Sequence, residues 1–305
     1  KNGDGINFKE SLTEQQYTDL CEFEGNANGF KIISENKAGI KGGLRLSYAT
    51  LGAFTKYPRK SILDKKSSHV KDKKYGFFHS QNSFFDEVAN ELGMIDSNGS
   101  YMRHPLAFLV EAADDICYTL IDFEDGINLG WISEEYALEF LIRLVKDSID
   151  TKKYNSLKHK TDRVAYLRAL SINTLINDTV KIFLKNEEKI LNGEFTKTLL
   201  SESVFKAQME DIIDISVKKV YNSKEVIEKE LKGYQVIHKL LSVFIKAAVN
   251  NQSDNTTALD DLVLASLPKT YIHKEGDLYN QLLDISCFVA SLTDGNALEW
   301  YNKIS

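Results

Sequence analysis

A chain of 305 residues, 43% hydrophobic and 27% charged, can bury a substantial core as one large helical domain or two joined lobes. Its 38 basic and 44 acidic residues leave a formal charge of −6, so no global positive field draws it to nucleic acid. No apolar run is long enough to span a membrane, and no signal-peptide pattern is present. Cys21, Cys117 and Cys287 stand far apart without zinc-type spacing and read as reduced core thiols of a cytoplasmic protein. Only three prolines occur, which favours helices.

The chain opens at Lys1-Asn2-Gly3-Asp4 without an initiator methionine, which suggests a sequence starting inside a longer protein. Ser11-Leu12-Thr13-Glu14 reads as a capping box at Ser11, after which Tyr17, Leu20, Cys21 and Phe23 begin an apolar face. Residues 36–43 read as a loop, 44–55 as a short helix ending at Tyr57-Pro58, and the lysine-rich residues 59–74 as an exposed excursion. Pro105 suits a first helical position, and Leu106, Leu109, Ala113, Ile116, Leu120 and Phe123 follow helical spacing up to Gly126.

Ser133-Glu134-Glu135 opens a helix through Leu144, and residues 162–191 read as one long helix. Its expected buried positions are Val164, Leu167, Leu170, Leu175, Ile176, Val180 and Leu184. Residues 205–220, 225–249 and 277–301 add three more helices. Alternating strand patterns are nearly absent, so the expected fold is all-α.

The segment from Glu111 to Asp125 carries the most information. Residues four apart lie one above the other on a helix, so Asp114, Tyr118 and Asp122 share a face, flanked by Glu111 and Asp125. Like charges at this spacing destabilise a helix by a few tenths of a kcal/mol, roughly. A divalent cation or a ligand hydroxyl would account for them, and so would a plain solvated acidic face; spacing alone does not choose.

The run Arg103-His104-Pro105-Leu106 through Glu111-Ala112-Ala113-Asp114-Asp115-Ile116-Cys117-Tyr118 resembles the RHPL…EAADDI-Y signature of the HD-domain deoxynucleoside triphosphate triphosphohydrolases, the bacterial dGTPase family. Four further segments resemble that family in the same order. Phe23-Glu24-Gly25-Asn26-Ala27-Asn28 is similar to FEGNAQ, with Asn28 in place of Gln. Residues 46–58, ending Lys56-Tyr57-Pro58, are similar to LT-ATL…KYP. Residues 73–78 are similar to KKPGYY, and residues 290–298 to SGMTD-YAL, with Asn296 where Tyr is usual.

The resemblance implies an HD-domain helical fold and a dGTPase activity releasing deoxynucleoside and tripolyphosphate. It implies Asp114 as the last ligand of a divalent metal centre (Mg²⁺, Mn²⁺ or another transition metal), Tyr118 against the deoxyribose and Asp122 on the 3′-hydroxyl. Asn26, Lys56, Tyr57 and Lys74 become substrate contacts, and Glu24 a candidate catalytic group. Each has a plainer reading. Glu24 is also a possible cap or salt bridge, Asn26 a turn residue, Lys56 a helix-end lysine, and Tyr118 a core aromatic. Lys71 and Lys73 compete with Lys74, and Arg163 and Arg168 read best as a solvated face.

The resemblance further implies a homo-oligomer, up to a hexamer, with residues 205–249 as a candidate interface. Residues 1–150 would be the carboxy-terminal part of the catalytic core, holding the metal-ligand helix 104–125. Residues 151–305 would complete the substrate pocket. None of His69, His79, His104, His159, His238 or His273 is followed by Asp, and the family's GHxGE stretch has no counterpart. The chain is therefore read as shortened at its amino end and inactive alone. The alternatives are another HD phosphohydrolase, or a catalytically dead nucleotide-binding or assembly module.

Overall fold

The computed structural model describes residues 8–35, 44–62, 69–146, 148–253, 255–268, 271 and 277–304. The loop expected at 36–43 lies outside them, as do residues 63–68 of the lysine-rich excursion. Among the described residues the fold is all-α, as expected and consistent with an HD-domain architecture. The extended pairing consists of an isolated bridge, Ile95 with Tyr101. No described helix is long and apolar enough to cross a membrane.

The helices are α1 (Glu14–Cys21), α2 (Gly25–Ser34), α3 (Tyr48–Phe54), α4 (Asn82–Glu91), α5 (Pro105–Asn128), α6 (Glu134–Val145) and α7 (Thr151–Ser156). They continue with α8 (Lys160–Lys185), α9 (Glu187–Leu191), α10 (Lys206–Ser216), α11 (Lys224–Gln252), α12 (Ala258–Ser266), α13 (Leu278–Ser291) and α14 (Asp294–Lys303). Residues 1–102 with 230–305 make one compact unit and residues 103–229 another.

In the first unit, α1 is capped by Thr13 rather than Ser11. Phe8–Ser11 already forms a 3-10 turn, and Thr13 with Gln16 makes the reciprocal box two residues later. The buried positions of α1 are polar. Asp19 Oδ2 accepts from the His79 backbone N–H and the Tyr279 hydroxyl, each at 2.7 Å, and Gln15 Nε2 donates to Asn82 Oδ1 at 3.1 Å. Leu20 and Phe23 pack inward as expected, but Tyr17 and Cys21 are exposed, because the polar network claims the inner side.

Aromatic packing fixes the remainder of this unit. Phe77 stacks on Phe85 at 4.2 Å between centroids, with Phe30 and Tyr101 edge-on to Phe85. Val236, Leu240 and Phe244 of α11 pack with Phe288 and Trp300 of α13 and α14. The single helix expected over 277–301 breaks where Thr293 caps α14, its hydroxyl accepting from the Asn296 N–H. Of the lysine-rich segment, Ser61 is buried and Val70–Asp72 forms a 3-10 turn, so its described part is tied down more than its charge suggested.

The second unit is built on α5, α6, α8 and α10. Ile116, Leu120 and Phe123 pack against Leu141, Leu144, Val164, Leu167 and Ile212. Pro105 opens α5 as expected, and Ser133 caps α6. Leu106 and Ala113 are exposed, however; Ala107, Phe108 and Ala112 face inward in the first turns of α5. On α8 the expected core positions Ile176, Val180 and Leu184 are exposed. The inner stripe instead runs Val164, Leu167, Ser171, Leu175, Thr179, Ile182, and the small hydroxyl residues lie within it. The long helix expected to reach 191 ends at Lys185, where the Asn186 side chain turns back on the Ile182 carbonyl.

Cys117 is exposed as well as Cys21, which corrects the expectation of three core thiols; Cys287 alone is buried, and burial pushes its thiol up to about 12.

Candidate functional site

Within the first unit, Glu24 sits at the amino end of α2 in extended backbone. Its Oε1 accepts from the Asn26 backbone N–H at 3.4 Å and from Asn26 Nδ2 at 2.7 Å. The Lys74 Nζ lies 3.6 Å from the same oxygen. Three of the expected site residues thus meet at one helix terminus, where free N–H groups and the helix dipole favour anions. Glu24 is the cap of that terminus, the plainer of its two readings.

Lys56 and Tyr57 follow α3, with Lys56 half-buried and Tyr57 buried. The backbone of this segment runs beside Gly76. The Arg59 N–H donates to the Tyr57 carbonyl at 2.8 Å, and the Gly76 N–H donates to the Arg59 carbonyl at 3.1 Å. A Cβ on Gly76 would lie 2.3 Å from the Tyr57 carbonyl oxygen, so only glycine allows this approach. The Tyr75 hydroxyl donates to the Glu22 carbonyl at 2.8 Å, fixing the lysine segment against the turn before α2. Arg59, which the sequence did not single out, donates to the Lys60 and Ser61 carbonyls at 2.6 and 3.2 Å. Burial lowers its pKa, against the opposing pull of Asp72, Glu22 and Glu24.

Within the second unit, Asp114, Tyr118 and Asp122 occupy one face of α5, opposite the apolar stripe. Tyr118 is 64% exposed, so it is not a core aromatic. Asp114 is exposed and Asp122 half-buried. Glu111 does not flank them. It is 5% exposed on the inner side, with Arg103 NH1 at 2.9 Å. Glu124 is likewise buried and paired with Arg168.

One carboxylate expected to flank this face, Glu111, is therefore a structural partner of an arginine, as is Glu124 elsewhere on the helix. Arg163 also leaves the solvated face expected of it, making two bonds to Glu134, Nε to Oε1 at 2.8 Å and NH2 to Oε2 at 3.0 Å.

Tyr221 joins this face without any signal in the sequence. It ends a π-helical turn, Val217–Tyr221, and its hydroxyl donates to Asp122 Oδ2. Its phenol is pushed up to about 12 by burial first, then by the bond to Asp122 and the charges of Asp122 and Tyr118. Among the described residues no group of three or more His, Cys, Asp or Glu side chains is placed to hold a metal ion. A divalent centre needs several converging ligands, so the described residues do not by themselves fit one.

No family model matches the chain. It is 33% identical over 296 residues to a deoxyguanosinetriphosphate triphosphohydrolase-like protein of Synechocystis sp., covering 94% of this chain and 66% of that protein. A protein of the same description from Listeria monocytogenes is 30% identical over 321 residues, covering 97% of this chain and 68% of the relative. The deoxyguanosinetriphosphate triphosphohydrolase of Cronobacter sakazakii is 29% identical over 332 residues, with 94% and 64% covered. The chain thus spans about two thirds of the length of the curated relatives it matches, and it belongs to the deoxyguanosinetriphosphate triphosphohydrolase family.

Proposed function

We propose that the full polypeptide to which this chain belongs hydrolyses deoxynucleoside triphosphates, dGTP preferentially, to deoxynucleoside and tripolyphosphate. Water adds its oxygen to the α-phosphorus, the bond from phosphorus to O5′ breaks, and O5′ leaves with a proton as the nucleoside hydroxyl. The observation that carries the reading is the open face of α5, where Asp114, Tyr118 and Asp122 stand together above an apolar stripe. An exposed tyrosine between two carboxylates offers a sugar ring an apolar face to pack on and its hydroxyl an acceptor. The relatives' names support the same class.

In this reading Tyr118 packs on the deoxyribose, where a 2′-hydroxyl would collide, and Asp122 accepts from the 3′-hydroxyl. Asn26, Lys56, Tyr57 and Lys74 hold the triphosphate. The lysines act as point charges, which tolerate loose geometry. Glu24 keeps Asn26 in place through the two bonds of its cap. Asp114 would be one ligand of a Mg²⁺ or Mn²⁺ centre, for which the described residues do not supply the remaining ligands. Residues 1–150 carry the catalytic part in this scheme, and 151–305 the rest of the pocket and the surface of a cytoplasmic homo-oligomer.

The test uses the complete polypeptide with Mg²⁺ or Mn²⁺ and dGTP. Deoxyguanosine with intact tripolyphosphate is expected, and Tyr118→Ala or Asp122→Asn should lower kcat/KM at least tenfold, the order of a bond to a charged group. Pyrophosphate or single phosphates as products would indicate a different HD phosphohydrolase. No turnover by the complete polypeptide, with nucleotide still bound, would indicate an assembly or binding module.

A further inference from the structure

The relationship between Asp122 and Tyr221 goes beyond the residues that carry the family's motifs. We infer that Tyr221 is a positioning residue, its hydroxyl pinning one carboxylate oxygen of Asp122 so that the other is aimed at the sugar 3′-hydroxyl. This rests on the reading just given, in which Asp122 faces the sugar.

The local construction is specific. A carboxylate has two oxygens and about four lone-pair sites, so one donor on Oδ2 fixes its rotation and leaves Oδ1 for a ligand. Tyr221 is that donor, and it is 41% exposed, so burying its ring is not what holds it there. The π-helical turn delivers it: the Asn222 N–H reaches the Val217 carbonyl at 3.2 Å, and the Asn222 side-chain amide donates to the same carbonyl at 2.7 Å. Such single wide turns are rare and concentrate at functional sites.

The turn is locked onto α5 one residue earlier. Val220 is buried over Gly126, where a Cβ would stand 2.6 Å from Val220 Cγ2. Asp122 and Gly126 are four apart and therefore stacked on one side of α5. A notch at Gly126 for Val220 and an acceptor at Asp122 for Tyr221 thus form a matched pair. The phenol keeps its proton at neutral pH, since its pKa is pushed up to about 12.

The experiment compares wild type and Tyr221→Phe in the complete polypeptide, with dGTP and with 2′,3′-dideoxy-GTP, which has no 3′-hydroxyl to read. Wild type should prefer dGTP. Tyr221→Phe should raise KM for dGTP about 3- to 10-fold, the worth of one hydrogen bond, while leaving dideoxy-GTP unchanged.

A merely structural role would shift both nucleotides alike, and that result overturns the inference. An unchanged or lowered KM for dGTP overturns it too, the latter because Tyr221 would then be occupying the ligand's place. Failure of the wild type to cleave dGTP would instead overturn the functional reading beneath it. Tyr221→Leu, with melting temperature measured beside activity, separates loss of the hydroxyl from loss of the ring.

Discussion

Arg103 NH1 lies 2.9 Å from Glu111 Oε2, and both side chains are almost wholly withdrawn from solvent. The guanidinium also sits 4.4 Å above the Phe108 ring. This pair turns the first two turns of α5 so that Glu111 points inward and leaves the face that carries Asp114. Removing one partner strands a buried charge. Arg103→Met alone is expected to cost about 3–5 kcal/mol in urea denaturation, whereas Arg103→Met with Glu111→Leu should recover most of it. Equal losses in the single and double variants would contradict this account.

Asp19 is 0% exposed, and burial raises its pKa above the ordinary aspartate value, although the bonds from His79, Ser61 and Tyr279 pull the other way. The sign follows from proton counting. Between the unfolded pKa and the higher folded pKa, the folded state holds more protons, so stability falls as pH rises through that window. Asp19→Asn removes the titration and keeps an acceptor for His79 and Tyr279. Wild type measured against Asp19→Asn should therefore lose relative stability from about pH 4 upward, since the unfolded group titrates near 3.9. A difference that is flat with pH would count against a strained carboxylate.

Gly76→Ala places a Cβ 2.3 Å from the Tyr57 carbonyl oxygen and 2.8 Å from Thr55 Cγ2. A backbone atom cannot yield as a flexible side-chain tip can, so the cost should be about 1–3 kcal/mol or more. Because the same contact holds the backbone of Tyr57 beside Gly76, two residues after Lys74, binding of tripolyphosphate by the folded variant should also weaken in calorimetry. A variant of normal stability and normal affinity would exclude this role.

Glu24→Ala should destabilise the protein by about 1 kcal/mol through loss of the α2 cap, and Glu24→Gln by less, since the amide oxygen still accepts from Asn26. Chemical denaturation of the three proteins side by side checks the order. If Gln and Ala were equally damaging, the carboxylate charge beside Lys74 rather than the cap would be the stabilising element.

Much of the fold is legible in the residues themselves. Pro105 at a first helical position, Ser133 before two glutamates and the 3.6-residue periodicity of α5, α8 and α11 announce helices, because these are local preferences of backbone and caps. The face shared by Asp114, Tyr118 and Asp122 is equally a matter of spacing along one helix. Relatives at about 30% identity place the chain in the family that the same motifs suggested.

What spacing leaves open is which side of each helix a neighbour covers. Ser171 and Thr179 are inside while Ile176 and Val180 are outside, because packing partners choose the register and small residues let helices approach. The removal of Glu111 from the acidic face depends on Arg103, 8 residues away, and Glu124 is held by Arg168, 44 residues away. The meeting of Tyr221 with Asp122 spans 99 residues and needs both a π-helical turn and the notch at Gly126. Local chemistry determined the helices and the candidate residues on them. Only tertiary packing decided which carboxylates remain open to a ligand, because a charge withdrawn from water must find its counter-charge or donor wherever the fold supplies one.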